Sequence, residues 1–232
     1  MREIQMPLSE AKQRLLAAAE SLFAEHGFEP VSVRDITQLA KANVAAINYH
    51  FGTRDGLIAR VVDRHLPSVN EERLARLDML ERKCGAGKAA PLEEILDAWL
   101  RPVTGTVRKS SLSERLSCRL LGRIFAMTEL SPIMQDQQST VSGRFTRAMG
   151  KSLPTVAPED LLWRVHFVTG ALIHLLVYQE MATQSTGGTT GTPTLEASLS
   201  RLIRFAAAGL REGLEPEPAA KKRGPQALFD FG

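Results

Sequence analysis

Between Val31 and Phe51 the chain gathers side chains whose types suit contact with nucleic acid. Val44, Ala45, Asn48, Tyr49 and His50 are small or polar, and side chains of that kind approach base edges and phosphates closely. Something rigid must hold them in one plane. Ser32 and Asn43 each offer a side-chain acceptor just ahead of a helix start. Ile36, Leu39 and Ala40 supply the apolar stripe of a first short helix, and Ile47 and Phe51 that of a second. Two short helices about a tight turn have the layout of a helix-turn-helix reader of DNA. The competing reading is a pair of small core helices, and the polar groups turned outward argue against it.

Other chemistry is poorly provided for. There is no Ser/His/Asp set, no paired carboxylate motif and no phosphate-binding loop, so no catalytic residues and no cofactor are expected. His166 and His174, eight apart, share one side of a helix, but no further metal ligands converge on them and no metal site is expected. Cys84 and Cys118 form no metal or redox spacing and suit a reducing compartment. With 232 residues and 44% hydrophobic content, the chain can form one small and one medium domain. No run reaches the roughly 18 apolar residues of a membrane span, and Met1–Gln5 lacks the character of a secretory signal. The expectation is a cytoplasmic protein with no membrane partner. Net charge is +3, yet residues 1–66 carry eight Lys/Arg against eight Asp/Glu. DNA binding would then depend on where Arg34, Lys41 and Arg54 are placed, not on a basic domain.

Pattern and punctuation predict an all-α chain of nine helices. A helix from Ser9 to His26 ends at Gly27, the two short helices follow, and a fourth runs from Thr53 to about Arg82 with Pro67 kinking or interrupting it. After a glycine-rich loop at 84–91, helices are predicted over 91–107 (disturbed at Pro102), 112–127, 131–153, 158–183 and 194–212. Residues 186–193 read as a flexible connector. The predicted divisions are a DNA-binding domain at 1–52, a helical body at 53–213, and a disordered tail at 214–232, where Lys221–Arg223 and Leu228–Phe231 have no assigned role.

Arg14–Phe28, and the segment from Val31 through Phe51 on to Ile58, resemble the first four helices of the TetR family of bacterial regulators. The ending Asn48-Tyr49-His50-Phe51 followed by Arg54 carries most of that likeness. The resemblance implies that Ser32, Tyr49, His50 and Arg54 hold phosphates while Arg34, Val44, Ala45 and Asn48 face base edges, with Asn43 heading the reading helix. One departure is Lys41, which stands where the family has glycine in the turn. A non-glycine residue there costs on the order of 1 kcal/mol.

The segments Arg119–Phe125, Leu162–Ala171 and Phe205–Arg211 resemble the bodies of TetR-type regulators that respond to long-chain fatty acids. That implies an apolar effector pocket, with Trp99, Phe125, Met127, Met134, Phe145, Met149, Trp163 and Phe167 as candidate linings and Arg119 or Arg123 as a partner for a ligand carboxylate. It also implies a homodimer through the last two helices, with Val168, Ala171, Leu172, Leu175, Leu199, Leu202, Phe205 and Ala206 at the interface. The function so implied is a regulator, a repressor sooner than an activator, that leaves a palindromic double-stranded DNA operator when a hydrophobic small molecule binds. The alternatives are a regulator with no small ligand, a ligand-binding or scaffold protein with a degenerate head, and, last, an enzyme.

Overall fold

The structure is a computed structural model, and it describes residues 8–85, 87–127, 132–184 and 193–212. The expected connector at 186–192 and the tail at 214–232 lie outside the described residues. Within them the chain is helical: α1 Leu8–His26, α2 Val33–Ala40, α3 Val44–Phe51, α4 Arg54–Cys84, α5 Leu92–Leu100, α6 Val103–Lys109, α7 Glu114–Phe125, α8 Pro132–Ser152, α9 Pro158–Gln184 and α10 Leu195–Arg211. The ninefold count becomes ten segments because the helix predicted over 91–107 divides at Pro102. Proline lacks the N–H that would continue the ladder, so α5 stops and α6 begins there. Pro67 does less than expected: α4 runs unbroken across it for 31 residues.

Side-chain caps mark five of the helix starts. Ser32, Asn43, Thr53, Ser113 and Thr194 each accept a hydrogen bond from a backbone N–H of the helix they precede. Two apolar cores result. The head core gathers Leu15, Phe23, Ile36, Ile47, Leu57 and Val61, and takes in Leu120 and Ile124 from α7 and Met134 from α8. The body core gathers Val69, Leu77, Ile95, Trp99, Phe145, Leu172 and Leu199. α4 therefore serves both, contributing Leu66 to one and Val69 to the other on either side of Pro67. α7 crosses α9 closely at Gly122, where an added Cβ would lie 2.7 Å from a methyl of Val177 and 3.0 Å from Leu176.

Two sequence expectations need correction here. Leu39 is 53% exposed, and Thr37 takes its place on the buried side of α2 with Ile36 and Ala40, its hydroxyl donating to the Arg34 carbonyl. Pro158–Tyr178 of α9 is also long and apolar enough, by length and composition, to cross a membrane. Its polar interruptions hide this when only unbroken apolar runs are counted. One of them, Arg164, is 5% exposed and donates to the Leu210 carbonyl at the end of α10. α9 thus packs as a helix of the folded body, with one side left uncovered.

Candidate nucleic-acid interface and the body behind it

The reading helix is positioned from below by Ile47, which is fully buried, and from its start by Asn43, whose carboxamide oxygen accepts from the Ala46 N–H at 2.8 Å. This leaves Val44, Ala45, Asn48 and Tyr49 exposed on one side of α3. Tyr49, 71% exposed, meets His50 edge to face, and His50 is half-buried against Phe51. Arg34 is exposed on α2. The set expected to face bases therefore stands clear of the protein.

The turn ahead of α3 is closed by two backbone bonds, Lys41 N–H to the Gln38 carbonyl at 3.2 Å and Ala42 N–H to the Thr37 carbonyl at 2.9 Å. That pattern requires a left-handed residue at the helix end, and Lys41 supplies it with φ 51° and ψ 48°. The glycine-type turn is kept without the glycine.

Two expected phosphate ligands are already engaged. Ser32 and Asp35 form a reciprocal cap in which the Ser32 N–H and hydroxyl both donate to the Asp35 carboxylate, at 2.8 and 2.6 Å, while the Asp35 N–H donates to the Ser32 hydroxyl. The hydroxyl proton holds the Asp35 carboxyl below its ordinary value. Arg54 donates through Nε to the Val31 carbonyl at 3.0 Å and through Nη2 to that of Phe28, so it ties the loop between α1 and α2 to the start of α4. Only its Nη1, 3.9 Å from Asp55, is turned elsewhere.

In the body, the candidate linings separate. Phe145 and Met149 have no accessible surface and so border no open space, and Trp99 stacks on Phe145 with ring centroids 6.1 Å apart. Met134 belongs to the head core and Met127 packs on its edge. Trp163 and Phe167 are 61% and 57% exposed on the outer side of α9, which removes them from any interior pocket. Arg119 is half-buried. Arg123 spans from body to head: its Nη2 donates to the Glu25 carbonyl at 3.0 Å, and its guanidinium covers Gly27, whose φ of 94° also excludes a side chain.

The expected dimer face divides in the same way. Val168, Leu172, Leu199 and Ala206 are buried within the protomer, because they lie on the sides of α9 and α10 that pack inward. Ala171, Leu175 and Leu202 are half-buried and Phe205 is 75% exposed. With Leu162, Trp163 and Phe167 they leave an apolar face around a groove of about 240 Å³.

Sequence reasoning passed over the charged residues that lie inside. Glu20 and His65, both buried, pair at 3.0 Å between α1 and α4, with the exposed Arg64 at 3.6 Å. Arg73, 3% exposed, donates to the Trp99 carbonyl at 2.8 Å and lies 5.0 Å over the ring of Phe125. The available signal was spacing. Arg73 sits four residues from Val69 and from Leu77 on the inward stripe of α4, and Glu20 lies four residues from Leu16 and from Ala24 on α1.

Both parts of the chain resemble known proteins. Residues 15–61 match the family model for bacterial regulatory proteins, tetR family, and residues 97–209 match that for the tetracyclin repressor-like C-terminal domain. Over 54 residues the chain is 43% identical to the HTH-type transcriptional repressor Rv3405c of Mycobacterium tuberculosis and to the HTH-type transcriptional regulator Mb3439c of Mycobacterium bovis. That match covers 23% of this chain and only 29% of each relative. A tetR-family regulatory protein from Rhodococcus RHA1 shares the fold with a TM-score of 0.59 at 18% identity, covering 86% of this chain and 96% of that one. SCO4454, a TetR-family regulator from Streptomyces coelicolor, does so with a TM-score of 0.50 at 15% identity, covering 88% and 97%. A chain whose head and body answer to both family models, in the fold of the family's solved members, belongs to the TetR family of bacterial DNA-binding transcriptional regulators.

Proposed function

We propose that this chain is a homodimeric repressor that reads a palindromic operator through α3 and releases it when an apolar small molecule enters the body. The observation that carries the reading is α3 itself: Ile47 anchors it while Val44, Ala45, Asn48 and Tyr49 stand clear. Asn48 suits adenine, Arg34 guanine, and Val44 or Ala45 a thymine methyl. Ser32, Tyr49, His50 and Arg54 are the phosphate side of the proposal. The engaged Ser32 and Arg54 act there mainly by fixing the backbone that meets the DNA. The uncovered face of Leu162, Trp163, Phe167, Ala171, Leu202 and Phe205 supports a two-fold partner. Two-fold symmetry would set two heads about 34–36 Å apart on one side of the duplex. The name of the mycobacterial repressor favours repression, and a fatty acid or acyl-CoA is the effector that the sequence resemblance implies.

Selection from random-sequence DNA tests the reading. A palindrome with half-sites about one helical turn apart is expected. Asn48→Ala should relax one position of it at a cost of about 1–3 kcal/mol. Failure to enrich any site at low salt would leave a ligand-binding or scaffold protein with a degenerate head.

A further inference from the structure

Arg73 is a buried cation whose partners among the described residues are all neutral. It is 3% exposed on α4, between the Trp99 end of α5, Phe125 of α7 and Gln138 of α8. Two of its five N–H groups are accounted for, Nε by the Trp99 carbonyl at 2.8 Å and Nη1 by the Asn70 carboxamide at 3.2 Å, while Asn70 in turn donates to Gln138 at 3.2 Å. Both acceptors are neutral. Among the described residues no carboxylate pairs with the guanidinium, and Glu72, its neighbour in sequence, is taken by Arg76 at 2.6 Å. The carbonyls closing α5 favour a cation, but they do not replace a counter-charge, and a buried charge without one is costly. Burial holds its pKa down to about 10, which still leaves a cation at neutral pH. Arg164 has the same kind of helix-end bond, yet it opens on the α9–α10 groove and Phe205, where a second subunit belongs.

We propose that Arg73, held by Asn70, which Gln138 contacts in turn, and with the ring of Phe125 over it, is the anchor for the anionic end of an amphiphilic effector. This rests on the effector-responsive reading above. The chemistry that fits is a carboxylate on an apolar body: the planar fork of arginine binds carboxylate through two bonds, and the apolar ring of Phe125 lies over it. The half-buried Phe125, which faces the guanidinium, is the side chain that a ligand would displace. Arg123, which holds the end of α1 at the Glu25 carbonyl, is two residues before it on the same helix. Displacing Phe125 therefore shifts the contact through which body meets head.

The test compares sodium decanoate with decanol, which has the same chain without the charge, on the 232-residue chain carrying Trp163→Phe, so that Trp99 is the only tryptophan left in it. Decanoate should bind at least tenfold more tightly than decanol, change Trp99 emission and release the selected operator. Arg73→Gln should abolish that preference while operator affinity stays within about twofold. Arg73→Lys, which keeps the charge and loses the fork, should reduce the preference without removing it, and serves if the glutamine variant fails to fold. A preference that survives both substitutions overturns the anchor. Operator release by decanol as readily as by decanoate also overturns it but spares the effector reading. Failure of both compounds to bind or release counts against anchor and effector reading together.

Discussion

Lys41 holds a left-handed backbone at the one place where the helix-turn-helix needs it. The strain of a side chain there is about 1–2 kcal/mol, against about 0.5–1 kcal/mol for the extra unfolded-state freedom of glycine. Lys41→Gly should therefore stabilise the protein by roughly 0.5–1 kcal/mol in urea unfolding. A loss instead would mean that the exposed lysine side chain contributes more than its backbone costs. Arg54 leads to a different expectation. Its bonds to the Phe28 and Val31 carbonyls make Arg54→Ala a change to the head's stability first, at about 1.5–3 kcal/mol, with operator and random DNA weakened alike. Loss of DNA affinity with an unchanged melting curve would show a direct phosphate contact. At the start of α2, the Ser32 hydroxyl lowers the Asp35 pKa. A carboxyl depressed on folding adds stability that is present in full above its unfolded value and is lost as pH falls through the folded one. Titration of the Asp35 amide by NMR should show the cap intact at pH 5 and releasing only below an Asp's ordinary value of 3.8.

Like α4 and α8, α7 touches both cores, and Gly122 lets it approach α9. Gly122→Ala would press a methyl onto Val177 and Leu176, and overpacking of that kind costs about 1–3 kcal/mol, readable as a lower unfolding midpoint. The helices themselves were legible because their punctuation is local. Ser32, Asn43, Thr53 and Thr194 announce starts, and Pro102 a break. What a helix touches was harder to read. Leu39 looked buried by type, yet the register of α2 turns Thr37 inward. Val168 and Leu172 looked free for a partner, yet the protomer uses them, and Trp163 and Phe167 on the opposite side of α9 are the ones left open. Which side of α3 faces outward was legible because it depends on short-range spacing. The body's candidate linings were not, because their burial depends on which of several apolar faces meet, and the buried Arg73 was passed over.

At the level of the molecule, the bare side of α9 and α10 is the largest unfinished feature. Phe205 is 75% exposed in the protomer, so Phe205→Glu should cost the isolated fold no more than about 0.5 kcal/mol. In a dimer that closes on this face it would bury a charge against an apolar partner. Sedimentation should then find a monomer, with the palindrome bound only weakly and as single half-sites. A dimer that persists would place the two-fold axis elsewhere. A second consequence concerns ancestry and engineering. The head's interior includes Leu120 and Ile124 of α7 and Met134 of α8, and α4 passes through both cores. No single cut in the chain therefore yields two parts that each keep a whole interior. Recombination that exchanges reading heads between regulators of this build has to carry a matching α7 surface along with the first three helices, or the graft inherits a hole.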